Sequence, residues 1–198
     1  MVNMIYYFVN HRLVFLKKAL YGAEGVCVMK LFFAILFTLV LIATGIWNID
    51  RWYSFNHDIG NYLKLAGDAP SVERADEFLG KALSNIEARG LTQGNSAYFF
   101  HNPNADLSIW HSQIVGAKQT MASIIERANA DPASVTQLER DNALMKIREV
   151  LLDEGDSGTK VTEPTHITVF PNQWAFLLLY VVSIMLGFIF WTWWKNER

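Results

Sequence analysis

The sequence predicts an all-α membrane protein in which two transmembrane helices flank an extracytoplasmic antiparallel four-helix bundle. Two uncharged apolar blocks lie near the ends of the chain, at Leu31 to Trp47 and at Trp174 to Trp194. The long stretch between them is polar and carries apolar residues at helical spacing. Basic residues collect outside the blocks, which is the charge pattern of a membrane protein.

Both blocks are long enough to cross a bilayer. The second contains 21 residues, and at about 1.5 Å per residue it reaches about 31 Å, close to a hydrocarbon core of about 30 Å. The first contains 17 residues, the lower limit for a spanning helix. Tryptophan, which favours the membrane interface, stands at both ends of the second block and at the end of the first. We therefore expect transmembrane helices at 31–47 and 174–194.

An alternative role for the first block is that of a signal peptide. Translation from Met29 would give a short basic start, an apolar core and a small-x-small cleavage site at Ala43 to Gly45. Against cleavage, apolar sequence compatible with a helix continues past that site to Ile49. Residues 1–28 could form an interfacial helix, or could lie upstream of a true start at Met29.

Charge predicts the orientation, because basic residues near span ends stay on the cytoplasmic side. The flanks carry six Lys and Arg against two Asp and Glu, whereas residues 48–169 carry eleven against seventeen. We therefore expect the segment 1–30 and the tail 195–198 in the cytoplasm, and the domain 48–169 outside the inner (plasma) membrane. A net acidic domain gives no support for nucleic-acid binding.

The single cysteine, Cys27, falls in the predicted cytoplasmic segment. One thiol cannot form an internal disulfide, and the outer domain contains no thiol at all. We expect Cys27 to be free and reduced, and the outer domain to be stabilised by packing.

The middle of the chain predicts four helices joined by short connections, each with an apolar seam at spacings of three and four. The first helix runs from Asn48 to Gly67, and the second from about Ser71 to Gly90, where glycine suits a helix end. Their seams are Trp52, Phe55, Ile59, Tyr62 and Ala66 in the first helix, and Val72, Ala75, Leu79, Ala82 and Ile86 in the second.

The third helix has the most regular seam, and Asn104 or Asp106 is available to cap its first turn. The fourth begins at Asp131–Pro132, or at a capping box from Ser134 to Gln137. Their seams are Leu107, Trp110, Ile114, Ala117, Met121, Ile124 and Ala128 in the third helix, and Val135, Leu138, Leu144, Met145, Ile147 and Leu151 in the fourth. An up-down bundle of four helices returns the chain to the membrane.

Two segments interrupt the helical pattern and are predicted as loops. Leu91 to Pro103 contains the aromatic run Tyr98 to Phe100. Asp153 to Phe170 is acidic and rich in glycine, and it turns β-like at His166 to Val169. The aromatic run could line a ligand site, but covering the open end of the bundle is the commoner use of such residues.

The second block contains a small-xxx-small step at Ser183 and Gly187. Small residues at this spacing let helix backbones approach closely. The step could contact Ala34 and Thr38 of the first block, or a second copy of the chain.

The sequence predicts no catalytic, cofactor-binding or metal-ligating residue and no cofactor. None of the five histidines lies at the spacing of a zinc site. His111 follows Asp106 by about one turn and could exchange a proton with it, and His101 lies nearby in the sequence. Helix capping by Asp106 and a surface role for the histidines are the commoner uses of these residues.

Three patterns resemble a group of bacterial membrane-anchored proteins that have a helical outer domain and no known activity. They are Leu91-Thr92-x-Gly94, Asp106 with Trp110, and Leu138-Glu139-x-x-Asn142-x-Leu144-Met145-x-x-Arg148-x-x-x-Leu152-Asp153. The resemblance covers about the second half of the outer domain and implies a bacterial origin and a helical fold. The layout also resembles the two-span, four-helix sensing modules of bacterial chemoreceptors, but this chain ends four residues after Trp194.

These observations favour a non-enzymatic scaffold or docking subunit, whose expected partners are the lipid bilayer and a protein partner or a second copy. One alternative is a subunit that senses a small ligand and signals to a separate protein. A second alternative is a membrane-tethered hydrolase that would use His101, Asp106 and His111.

Overall fold

The computed structural model describes residues 23–155 and 158–195, and it is mostly helical over them. The expectations for residues 1–22 and for the end of the tail lie outside the described residues. The elements in chain order are α1 (Ala23–Phe55), a π turn (Asn56–Gly60), α2 (Asn61–Gly67), α3 (Val72–Ala88), α4 (Leu107–Ala130), α5 (Gln137–Leu151), β1 (Leu152–Gly155), β2 (Gly158–Val161) and α6 (Gln173–Lys195).

The chain divides into two compact units. Of the described residues, 23–46 and 176–195 form the apolar unit, and Trp47–Ala175 forms the polar unit. Two helical stretches, Phe32–Gly67 and Gln173–Phe190, are long and apolar enough to cross a membrane by length and composition.

Within the apolar unit, small side chains allow α6 to approach α1. Ser183 is buried, and a Cβ atom added to Gly187 would lie 3.3 Å from Cε1 of Phe37. Ala34 and Thr38 line the same apolar groove of about 570 Å³. Gly187 of the small-xxx-small step thus lies against Phe37 of α1, with Ala34 and Thr38 along the same groove, and the alternative contact with a second copy stays a prediction.

The first helix of the polar unit continues α1 through the π turn and ends with α2 at Gly67, as its seam predicts. Phe55, Ile59 and Ala66 of that seam are buried. The prediction is wrong for Trp52, which is 55% exposed. Helix α3 packs against the π turn and α2, which follow Trp52 in the chain.

Helix α3 begins and ends as predicted. The Ser71 hydroxyl accepts the Arg74 N–H at 3.3 Å, and all five seam residues of this helix are buried. After the helix, Gly90 has a φ of 67°, and the Leu91 N–H donates to the Ile86 carbonyl at 3.0 Å. This left-handed termination satisfies carbonyl groups that the helix end would leave unpaired.

Helix α4 confirms the most regular of the predicted seams. Six of its seven seam residues are buried, and Ala128 is partly buried. Of the two cap candidates, Asp106 is the residue that caps the helix.

Helix α5 departs from the prediction at its start and on one face. It begins at Gln137 and is capped by Thr136, whose hydroxyl accepts the Glu139 N–H at 3.2 Å. Asp131 instead caps a separate 3-10 turn at Pro132–Ser134.

On the outer face of α5, Leu138 and Met145 are 68% and 63% exposed, so the predicted seam is wrong for them. Ile147 and Leu151 of the same seam are buried. At about 100° per residue, Leu138 and Met145 lie about half a turn away from Ile147. One helix face cannot bury all of them.

The helices of the polar unit share one core. Helices α2 and α4 each pack against both α3 and α5, while α3 and α5 meet more lightly. The buried apolar side chains of these helices form a single cluster.

A β-hairpin replaces part of the predicted second loop. Strands β1 and β2 pair antiparallel, with Leu152 opposite Val161. The β-like prediction for His166 to Val169 is wrong, because residues Ile167–Val169 form a 3-10 turn that buries Ile167 and Val169. His166, before that turn, has a φ of 61°.

Candidate functional site

Two segments of the polar unit, residues 91–106 and residues 162–174, meet in what we call the loop cluster. Ser96 joins them and is fully buried. Its hydroxyl lies 2.5 Å from the Thr165 carbonyl and 3.1 Å from the Ala105 carbonyl. Its N–H donates to the same Ala105 carbonyl at 2.9 Å. A buried polar residue with all these partners fixes the two segments relative to each other.

The backbone of Gly94 and the ring of Phe170 form a second close contact within the loop cluster. Gly94 has a φ of 113°, and a Cβ atom placed on it would lie 2.8 Å from Cζ of Phe170. Only glycine combines this backbone conformation with the absence of a side chain. The Arg51 guanidinium of α1 donates to the Phe170 carbonyl at 3.2 Å, so Phe170 is also attached to α1.

The first residue of α6 is attached to the loop cluster. Gln173 is buried, and its side-chain amide donates to the Asn95 carbonyl at 3.2 Å. Within the described part of the chain, Oε1 of Gln173 accepts no hydrogen bond. The first residue of α6 is thus anchored to the loop around Asn95.

The aromatic run of the loop cluster is only partly packed. The ring of Tyr98 lies edge-on to His166 with centroids 4.6 Å apart, and Phe99 lies edge-on to Trp174 at 5.6 Å. Phe99 and Phe100 are nevertheless 69% and 86% exposed. The expectation that these rings cover the end of the bundle is therefore wrong for both phenylalanines.

Asp106 acts as the helix cap that its position predicts. Its Oδ1 accepts the Ser108 N–H at 2.8 Å, the Ser108 hydroxyl at 2.6 Å and the Ile109 N–H at 3.3 Å. These hydrogen bonds, the one from the Ser108 side chain first, hold the pKa of Asp106 below its usual range, and His101 adds a smaller contribution. The carboxylate is engaged with the first turn of α4.

His111 turns toward α3 rather than toward Asp106. Its Nε2 lies 4.0 Å from Oε1 of Glu87, and among the described residues that nitrogen has no hydrogen-bond partner. No hydrogen bond in residues 23–155 and 158–195 joins His111 to Asp106. Within the described residues the structure thus does not form the proton-transfer pair.

A cluster at the π turn was not visible in the sequence. The Asp58 carboxylate is paired with Arg89 of the α3 end and lies 2.7 Å from Nδ1 of His57. Asn85 donates to the Asp58 carbonyl at 2.6 Å. The hydrogen bond from His57, followed by the charge of Arg89, holds the pKa of Asp58 below its usual range. These contacts secure the π turn to α3, and π turns are frequent at functional positions.

A groove lies beside the exposed face of α5. It has a volume of about 420 Å³ and is lined by Met145, Arg148, Glu149, Leu152 and Glu154. Arg148 is held loosely, since its nitrogens are 3.7 Å from both Asp68 and Glu154. The lining thus combines two apolar side chains with three charged ones. We call this groove together with Leu138 the α5 face.

Comparison with known proteins does not assign the chain to a family. No family model matches it, and neither the curated proteins nor the solved structures contain a significant match. Within residues 23–155 and 158–195, no three or more His, Cys, Asp or Glu side chains are grouped as a metal site would require.

Proposed function

We propose that this chain is a non-enzymatic docking subunit of the inner (plasma) membrane. In this proposal α1 and α6 cross the membrane, both termini lie in the cytoplasm, and the polar unit lies outside as an antiparallel four-helix bundle. A partner protein binds the α5 face. The observation that carries the proposal is the exposed apolar pair Leu138 and Met145, the second of which lines a groove together with three charged side chains.

The membrane assignment is supported by the exposure of the apolar helices. Their most apolar windows have mean hydropathies of 2.2 and 2.1, yet only 6% and 17% of these windows is buried. A core helix of a soluble protein buries such a surface against its neighbours. Lipid is the environment that suits these exposed side chains.

The bundle and its orientation are supported by packing and charge. Helices α2 and α4 each contact α3 and α5, which is the neighbour pattern of an up-down bundle. The polar unit has a net acidic composition and the chain ends are basic, as expected when the basic ends are retained in the cytoplasm.

The docking role is supported by the chemistry of the α5 face. Its two exposed apolar side chains stand on a helix in which six of fifteen residues are charged. Protein interfaces combine an apolar centre with a polar rim in this way. A protein segment with an apolar anchor and flanking charges would match both parts.

Photocrosslinking in native membranes tests this proposal. A benzophenone amino acid replaces Met145 in one variant and Leu138 in another, with Ser123 on an exposed face of α4 as the matched control. We expect a crosslinked product of one defined mass at Met145 and Leu138 but not at Ser123. Introducing Leu138→Asp should remove the Met145 product.

The mass of the product identifies the occupant, because twice the mass of this chain would mean a second copy. Absence of any product at both positions, or an equal product at Ser123, would overturn the docking role.

A sensing function is the second candidate, and the continuous helix favours it. Helix α1 continues through the π turn into α2, and the π turn is fixed to α3 by Asp58 and Arg89. A ligand that shifts α3 could move this helix. Thermal-shift screening of the full chain in nanodiscs tests the idea, and a screen of metabolites without any stabilising compound would argue against it.

A further inference from the structure

The loop cluster presents two large apolar rings to the surroundings. Phe99 and Phe100 follow each other in the chain and are mostly exposed. They belong to a loop that two hydrogen bonds hold in place. The Ser96 hydroxyl donates to the Thr165 carbonyl, and the Gln173 side-chain amide donates to the Asn95 carbonyl. Exposed aromatic groups on a fixed loop indicate a surface that meets a partner.

The position of these rings indicates which partner. The chain enters the polar unit at Trp47 and leaves it at Ala175. Phe99 contacts Trp174, the residue immediately before that exit and the second residue of α6. Tryptophan at the end of a spanning segment lies in the membrane interface, so its neighbour Phe99 lies at the same level.

The charge of the segment that carries the rings supports lipid rather than a charged partner. Residues 91–105 contain no Lys, Arg, Asp or Glu, and neither do residues 164–194, so the charged residues of the loop cluster are Asp106, which caps α4, and Glu163. Residues 48–169 as a whole contain 28 such residues. Ions are costly to bring next to hydrocarbon, and a site for anionic headgroups would need Lys or Arg.

We propose that Phe99 and Phe100 insert into the interface of the bilayer that α6 crosses, and that they hold the loop cluster against the membrane surface. The inference rests on the proposed transmembrane role of α6. The partner is the lipid interface irrespective of headgroup charge, since the loop offers aromatic surface and no ion. Phenylalanine on the apolar side of interfacial segments has the same role.

Depth-dependent quenching of a fluorophore tests the insertion. The full chain carries Cys27→Ser and Phe100→Cys, is labelled with an environment-sensitive nitrobenzoxadiazole dye, and is reconstituted in phosphatidylcholine vesicles. We expect emission at shorter wavelength than for the matched label at Ser123→Cys. We also expect stronger quenching by a nitroxide near the headgroup than by one deep in the acyl chain. Phe99→Cys repeats the measurement at the neighbouring ring.

A label at Ile184→Cys in α6 separates this inference from the proposed spanning role. Deep quenching at position 184 without quenching at position 100 would overturn the insertion and leave the span intact. Absence of quenching at both positions would overturn the span itself. A shift to shorter wavelength at position 100 without nitroxide quenching would indicate a protein contact and contradict the inference.

Lipid charge provides a further check. Adding phosphatidylglycerol should leave the quenching of the Phe100→Cys label unchanged, because residues 91–105 contain no Lys or Arg to bind an anionic headgroup. Quenching that appears only with the anionic lipid would overturn the inference as stated.

Discussion

The loop cluster and the α5 face both expose large apolar side chains, but they differ in charge. Residues 91–105 contain no charged residue, whereas α5 contains six among fifteen. An apolar group among ions fits a protein surface that can pair those ions. An apolar group without ions nearby can enter lipid. Charge around an exposed hydrophobic residue therefore separates two environments that hydrophobicity alone would not distinguish.

The magnitudes support this distinction. Full burial of a phenylalanine side chain contributes about 1.5 to 3 kcal/mol, whereas a charged residue at the centre of a spanning helix costs about 2.5 to 3.5 kcal/mol. An ion carried past the interface into the hydrocarbon would therefore cost as much free energy as the burial of one phenylalanine ring contributes. The absence of charge in 91–105 is thus as important to the proposed insertion as Phe99 and Phe100 themselves.

The largest effect is expected where the loop cluster joins the core. Trp110 is 5% exposed, and its indole N–H donates to the Thr162 carbonyl at 2.8 Å. Trp110→Ala should lower the free energy of unfolding by about 3 to 5 kcal/mol, since it removes a large buried side chain. Denaturant unfolding of the full chain in micelles, followed by circular dichroism, measures the change.

The control for that prediction is Trp110→Phe, which keeps most of the packing and loses the hydrogen bond. A smaller loss of about 1 kcal/mol is expected. Equal losses in the two variants would show that packing of the indole is not what joins α4 to the loop cluster.

Much of the polar unit was predictable from sequence because its helices have regular seams and standard caps. All five seam residues of α3 are buried, and Ser71 and Gly90 mark its ends as predicted. Local patterns of this kind depend on helix geometry and backbone hydrogen bonds alone. Helix seams and caps can therefore be predicted without knowing which helices contact each other.

The remaining features depend on contacts between distant residues. No local sequence pattern predicts the contact of Ser96 with Thr165 or that of Asp58 with Arg89, because the partners are far apart in the chain. The hairpin was missed because the residues of β1 and β2 lack a clear alternation of apolar and polar side chains. Leu138 was assigned to the core because α5 offers apolar residues on more than one face.

A smaller effect is expected from the close approach at Gly94. Gly94→Ala brings a Cβ atom to 2.8 Å from the Phe170 ring at a φ of 113°, so we expect a loss of about 1 to 3 kcal/mol. The matched control is Gly116→Ala in α4, where nothing lies within 4 Å of the new atom. That change should stabilise the chain by about 0.5 to 1 kcal/mol, because alanine favours helix. Similar unfolding energies for the two variants would argue against the contact with Phe170.

A pH-dependent effect is expected at Asp106. Because hydrogen bonds lower its pKa in the folded chain, its stabilising contribution is present above the unfolded pKa and is lost as pH falls through the folded pKa. Asp106→Asn should remove this part of the acid destabilisation, since asparagine caps a helix without titrating. Unfolding midpoints between neutral pH and about pH 2, a range that extends well below the unfolded pKa, measure it. If the difference in unfolding midpoint between the Asp106 protein and the Asp106→Asn variant did not change across that pH range, the lowered pKa of Asp106 would be contradicted.

The smallest effects on folding are expected on the two exposed surfaces, where substitutions test whether the α5 face and the loop cluster act independently. Met145→Glu and Phe100→Glu should each change the free energy of unfolding by no more than about 0.5 kcal/mol. Met145→Glu should abolish crosslinking at Leu138 and leave quenching at a labelled Phe99→Cys unchanged. Phe100→Glu should do the reverse. Loss of both signals in either variant would mean that the two surfaces are not independent.

The accessibility of two cysteines tests whether the polar unit lies outside a membrane that α6 crosses. In a Cys27→Ser background, Ser123→Cys and Ile184→Cys are exposed to a membrane-impermeant maleimide in right-side-out vesicles. We predict that position 123 reacts at once and that position 184 stays unreactive. Reaction of position 123 only after permeabilisation, or reaction of position 184 from water, would contradict the account.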